Sequence, residues 1–246
     1  MTKYEAETLP TIGQVRAIYD RAYAAPGLMG THLDLEYSQF TKTQLLRMCK
    51  ADSSSRLLDL GAGDGDLWQF APETEAGFAI DLSGVGIART TQRFPWVRGT
   101  VALSERLPFP DHSFDAVVAA DTIEHVFDIH EALEEIRRVL APGGRIAVSV
   151  PTPQSLRTWA VNHFIRQRPS LRLALLLVKT VIRRQLLFGR AAFQPIDRDF
   201  KAETWRALLV QHGFYVREIM EWPTEPQQPI VILIGAGLAN VNGISL

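Results

Sequence analysis

RLLDLGAGDGDL, residues 56–67, decides how the rest of the chain is read. An apolar run of strand length, RLLDL, stops at glycines 61, 63 and 65. Those glycines permit a tight turn with positive φ and remove the Cβ atoms that would keep a ligand off the backbone. The spacing is G-x-G-x-G, one residue shorter than the dinucleotide pattern, and Asp59, Asp64 and Asp66 crowd it. Three carboxylates suit a cationic ligand better than a pyrophosphate. Asp81 closes the next apolar run, FAID (78–81), at the place where a carboxylate accepts both hydroxyls of a ribose. A helix is expected directly after the loop, with Trp68 and Phe70 in its core face.

Working outward, FDAVVAAD (114–121) and RIAVSV (145–150) read as further buried strands, the second following the turn APGG. Between them IHEALEEIRRVL (129–140) puts Ile129, Leu133, Ile136, Val139 and Leu140 on one helical stripe, with Glu134 facing Arg138. Pro142 and the paired glycines stop that helix. Alternating strands and helices from 56 to 150 predict a parallel sheet covered on both faces. DFKAETWRALLVQHG (199–213) reads as a helix ended by Gly213, followed by YVREIMEW (215–222) and PIVILIGAG (229–237). Only PTEPQQ separates those two runs, too short for a parallel crossover, so the last strand is expected antiparallel. Residues 1–55 read as helical, with Val15, Ile18, Tyr19 and Ala22 on one face and a break at APGLMG. The predicted organisation is a helical cap over 1–55 and an α/β domain over 56–246 with an insertion at about 151–196.

The chain has 246 residues, 46% apolar and 22% charged, enough for one large core and too apolar for disorder. Cys49 is the single cysteine, which excludes an internal disulfide framework and a cysteine-rich zinc site. MTKYEAETLP lacks the apolar run of a secretory signal, and LALLLV (173–178) falls far short of the roughly 20 apolar residues of a spanning helix. A cytoplasmic location is expected, with no nucleic-acid partner. The net charge of −1 hides an asymmetry: residues 151–195 carry eight basic and no acidic side chains, leaving 18 basic against 27 acidic elsewhere. As a helix, this segment would set Arg172, Lys179 and Arg183 beside a face of Leu171, Leu175, Val178, Ile182 and Leu186. Such a face packs against the protein, meets a second copy, roofs an anionic lipid-like acceptor, or touches a membrane through about 156–190.

In order along the chain, RLLDLGAGDGDL, GFAIDLSGVGIARTTQRFP (77–95), ERLPFPDHSFDAVVAADTIEHV (105–126), EALEEIRRVLAPGGRIAVSVP (131–151) and FKAETWRALLVQHGF (200–214) resemble the motifs of the class I S-adenosylmethionine-dependent methyltransferases of the type 11, small-molecule kind. The resemblance covers about 56–150 and 197–238. It implies a Rossmann-like, doubly wound seven-stranded sheet of order 3-2-1-4-5-7-6 with the last strand antiparallel. The implied reaction is methyl transfer from S-adenosylmethionine to a small-molecule or lipid-like acceptor.

The same resemblance places Gly61, Gly63 and Gly65 against the methionyl half of the cofactor, with Asp59 and Ala62 in that motif. It places Asp81 and Leu82 at the ribose, Ser104 and Glu105 beside the adenine, and Asp121 and Thr122 at the open end of the fourth strand. One position departs: where the family commonly has an Asp for the adenine amino group, this chain has Leu103. Either a backbone carbonyl takes over or packing holds the ring. His125, in the turn IEHV, is either the candidate base, in which case an oxygen acceptor is favoured, or a hydrogen-bonded residue that supports the site from behind. Quinone-pathway O-methyltransferases hold a magnesium-type ion with a similar cluster, which Asp121, Glu124 and His125 match in spacing, but three ligands from one turn make a thin site. No metal is assigned. Two rivals remain: a cofactor-binding relative without catalysis, and a nicotinamide-dependent oxidoreductase, against which the glycine spacing and the final hairpin argue.

Overall fold

The computed structural model describes residues 10–24, 35–74, 76–151, 196, 198, 200–222 and 231–238. Helices α1 (Ile12–Ala24) and α2 (Leu35–Cys49) precede β1 (Leu57–Leu60), β2 (Gly77–Asp81), α3 (Gly84–Arg93) and β3 (Val97–Val101). Next come β4 (Phe114–Ala120), α4 (Ile129–Val139), β5 (Leu140–Pro151), α5 (Ala202–Gln211), β6 (Phe214–Trp222) and β7 (Val231–Leu238). The strands form one sheet in the order β3-β2-β1-β4-β5-β7-β6. β7 runs antiparallel to both β5 and β6, and the other pairs are parallel, as the short connection and the resemblance led us to expect.

The apolar runs became strands buried on both faces because successive side chains supply two separate cores. Leu58, Leu60, Val117, Ile146 and Val148 point to one side and pack with Leu133 and Ile136 of α4 and Trp205 of α5. Leu57, Ala79, Val118 and Leu233 point to the other and meet Leu45 and Met48 of α2, Ile87 of α3 and Trp68. α2 therefore closes a face of the sheet, while α1 lies against α3. The segment APGLMG and residues 152–195 lie outside the described residues.

Three local expectations need correction. The helix predicted after the glycine loop is only a 3-10 turn, Asp66–Gln69. Gly65 enters it in the left-handed region and Pro72 cannot extend it, so no helix dipole points at the loop. Trp68 is in the core as expected. In α4, Ala132 completes the buried stripe and Leu140 instead opens β5, whose APGG stretch is a register irregularity opposite Phe114–Ala116. Arg138 does not pair with Glu134. It bonds Glu135 at 2.7 Å and reaches back to the carbonyls of Leu107 and Phe109, while Glu134 pairs with Arg137 and His212. Those unpaired loop carbonyls draw the Arg138 guanidinium away from its i−4 neighbour.

Candidate active site

The carboxyl ends of β1, β2 and β4 open into one cleft, the position where parallel α/β sheets bind ligands. Gly61, Asp81, Leu82, Ser104, Glu105 and Asp121 line it, and so do Thr122 and His125. Eight of the twelve residues assigned from sequence thus converge on a single space. Asp59, Ala62, Gly63 and Gly65 are not on its wall.

The glycine loop is built around Asp81. Its Oδ2 accepts the N–H of Gly63 at 2.9 Å and its Oδ1 the N–H of Ser83 at 2.7 Å, so the carboxylate ties the loop to the start of α3. Burial pushes the Asp81 carboxyl up to about 6, against those two bonds. Each oxygen keeps lone-pair capacity for a ribose hydroxyl. Gly61 has φ +73° and a Cβ there would strike the Thr122 side chain; Gly63 has φ +56° and a Cβ would strike the Tyr23 hydroxyl. Gly65 serves packing instead, since its Cβ would press on Thr90 and Phe94. Asp59 lies buried, off the cleft wall, its Oδ2 without a hydrogen-bond partner among the described residues. Burial raises its carboxyl to about 8, opposed by the buried Lys42 cation.

On the wall after β3, Leu103 and Ser104 line the cleft, but the Glu105 carboxylate is engaged by the backbone N–H groups of Phe127 and Asp128. The 103–111 loop is held from below by Arg138 and by Glu135, which accepts the Leu107 N–H at 2.7 Å.

On the opposite wall Asp121 adopts φ +50°, a strained region for a non-glycine residue. Ser149 holds it there: its carbonyl and hydroxyl accept the Asp121 N–H at 3.1 and 3.0 Å, and its hydroxyl donates to Oδ1 at 2.8 Å. His125 donates Nδ1–H to the Ile196 carbonyl at 2.7 Å, and its Nε2 lies 3.5 Å from Oε1 of the buried Glu124. Among the described residues no three His, Cys, Asp or Glu side chains gather closely enough to hold a metal ion.

Sequence reasoning missed two contributors. Val15, Tyr19 and Tyr23 of α1 line the cleft at four-residue spacing, a signal that Tyr23 extends beyond the face read from sequence. Burial and the Asp81 and Asp64 carboxylates raise the Tyr23 hydroxyl well above its ordinary pKa, so it stays a proton donor. Asp20, on the same helix, accepts from the Ser83 hydroxyl at 2.6 Å and docks α1 on the start of α3. The second contributor is Ile196 with Arg198, which bond the turn carrying His125; no local pattern marks them.

A glycine loop braced by a strand-end carboxylate, in a sheet of this order with a reversed seventh strand, has the fold of the class I S-adenosylmethionine-dependent methyltransferases. Residues 58–148 match the family model described as a methyltransferase domain. The demethylmenaquinone methyltransferase of Mycobacterium sp. (strain KMS) is 30% identical over 161 residues, 63% of this chain and 69% of that protein. The 2-phytyl-1,4-naphtoquinone methyltransferase of Trichormus variabilis is 29% identical, over 59% of this chain and 69% of that one. The Burkholderia thailandensis 1,6-didemethyltoxoflavin-N1-methyltransferase, solved with S-adenosylhomocysteine, superposes with a TM-score of 0.64 at 17% identity, covering 95% and 93% of the two chains. The chain belongs to this methyltransferase family and is an S-adenosylmethionine-dependent methyltransferase of small molecules.

Proposed function

We propose that the chain methylates a lipid-like, quinone-derived acceptor, with His125 as the base. The observation that carries the reading is the bond from His125 Nδ1–H to the Ile196 carbonyl, which assigns the accepting role to Nε2, 3.5 Å from the Glu124 carboxylate, on a residue that lines the cleft. Asp81 takes the ribose hydroxyls, with Leu82 beside it. The loop Gly61–Gly65, with Asp59 and Ala62, supports the methionyl part, Leu103 and Ser104 flank the adenine, and Asp121 and Thr122 border the transferred methyl group.

S-adenosylmethionine supplies an activated methyl on a sulfonium, so the protein's task is alignment and exclusion of water. His125 Nε2 takes the proton of an acceptor hydroxyl, and the buried Glu124 carboxylate balances the imidazolium. The acceptor's electron pair forms the new bond to the methyl carbon while the sulfur–carbon pair returns to sulfur. His125 alone favours oxygen as the acceptor. The relatives' named naphthoquinones favour carbon instead: in the reduced form, losing a hydroxyl proton makes the adjacent ring carbon nucleophilic, and the ring proton then leaves to solvent. The relatives give no support to oxygen over carbon.

The same reading keeps 1–55 as a cap and 151–196 as the acceptor's cover, with lipid contact through its basic edge. Methyl-labelled S-adenosylmethionine incubated with a reduced 2-prenyl-1,4-naphthoquinone in detergent tests it. Label on the ring carbon, lost in His125→Gln, is expected. Cofactor binding with no label transferred to that compound, or full transfer by His125→Gln, contradicts it.

A further inference from the structure

The turn that carries His125 is short. Ile123–His125 is a 3-10 turn, Val126 then runs extended, and the carbonyls of Glu124, Val126 and Phe127 need partners from elsewhere. All three find the same one. The Arg198 guanidinium donates to the carbonyls of Glu124 at 3.2 Å, Val126 at 2.5 Å and Phe127 at 2.9 Å. On the opposite edge the Glu105 carboxylate accepts the N–H of Phe127 at 2.5 Å and of Asp128 at 3.1 Å.

Two successive peptide groups are therefore each held at both ends. Val126–Phe127 and Phe127–Asp128 meet a guanidinium at their oxygens and a carboxylate at their nitrogens. Bonds to ionised partners are about twice as strong as neutral ones, and peptide groups polarised in series reinforce one another. Two residues before Arg198, the buried Ile196 accepts the Nδ1–H of His125. Arg198 thus grips the turn with its side chain and Ile196 the imidazole with its carbonyl.

We infer that Arg198 is the positioning residue of the acceptor side: paired with Glu105 across two peptide groups, it seats the 122–128 turn against Ile196 and so fixes His125 in its Nδ1–H tautomer. The catalytic meaning of this seating rests on His125 being the base. It also links three parts of the site that are distant in sequence: the adenine-side loop, the acceptor-side turn and the chain leaving the basic segment. A guanidinium is needed because three carbonyls at different angles must be reached from one centre, which an ammonium on a flexible stem does poorly.

The test is long-range proton–nitrogen correlation NMR of the histidine rings in cofactor-free, nitrogen-15-labelled protein, at a pH where His125 is neutral. His125 is assigned by the signal missing from His125→Gln. The wild-type ring is expected as the Nδ1–H tautomer, Arg198→Gln as a mixture, and Arg198→Lys as a partial recovery. Arg198→Ala should recover the wild-type signal when millimolar guanidinium ion is added. Should Arg198→Gln not fold, Glu105→Gln releases the other end of the same peptides and must loosen the tautomer likewise. A wild-type ring that is mainly Nε2–H, or an Nδ1–H ring unchanged in Arg198→Gln and Glu105→Gln, overturns the inference. Calorimetry with S-adenosylmethionine on the same samples separates the two claims: a fixed His125 in protein that binds no cofactor keeps the seating and sinks the proposed function.

Discussion

Asp81 sets the loop geometry and, as the proposed acceptor of the ribose hydroxyls, would set cofactor affinity as well. Its carboxylate must be ionised to accept two hydroxyls while holding the Gly63 and Ser83 N–H groups, and burial has raised its pKa to about 6. Because the protonated form is the weaker acceptor, cofactor affinity should hold above pH 6 and fall as pH drops through it, by up to about tenfold per unit for one proton. Asp81→Asn should flatten that dependence, and Asp81→Ala should weaken binding by about 2–4 kcal/mol, both read by titration calorimetry. At Gly63 two effects combine: positive φ, and a Cβ that meets the Tyr23 hydroxyl. Gly63→Ala should cost about 2–3 kcal/mol of stability in urea unfolding. The double variant with Tyr23→Ala should cost less than the sum of the two single changes. Asp81 and the glycines were legible in the sequence because the loop's requirements are local in the chain. Tyr23 and Arg198 were not, because each matters only through the tertiary approach of a segment from elsewhere. Glu105, expected beside the adenine, lines the cleft, and no local pattern showed that its carboxylate would serve the backbone of the next turn.

At the scale of elements, the strands and α4 were readable because apolar periodicity and the Pro142 stop agree. Asp128 accepts from the N–H groups of His130 and Glu131 as an N-cap does. β3 was reached through the resemblance rather than through its residues, since VRGTV is a partly exposed edge strand with Arg98 and Thr100 outside an apolar pattern. The missing helix after the glycine loop escaped notice because strand-loop-helix is the commoner outcome. Here the cap of that sheet face comes from α2, distant in sequence. Arg138 is the rivet between α4 and the 103–111 loop, holding Leu107 and Phe109 carbonyls along with Glu135 and Asp111. Arg138→Ala should destabilise the fold by about 2–3 kcal/mol. It should also speed amide exchange across 103–111 more than in β1 or β4, measurable by mass spectrometry.

For the whole molecule, no helix among the described residues is long and apolar enough to cross a membrane. The lipid-like acceptor proposed for the chain would still be fetched from one. The eight basic residues of 151–195, a segment with no acidic one, would give an electrostatic route, since like charges in one segment favour an external anion. Vesicle co-sedimentation should rise with anionic lipid content and fall with salt. Changing Arg172, Lys179 and Arg183 together to Gln should remove about 1 kcal/mol per charge. Indifference to anionic vesicles at low salt would leave the segment a packing element. The account as a whole stands on the cleft being an S-adenosylmethionine site, and titration calorimetry of the full chain with S-adenosylmethionine, S-adenosylhomocysteine and NAD addresses that directly. Saturable binding of both sulfur compounds, weakened in Asp81→Ala and with no heat from NAD, is the predicted result; tight NAD binding, or folded protein that binds neither sulfur compound, would contradict it.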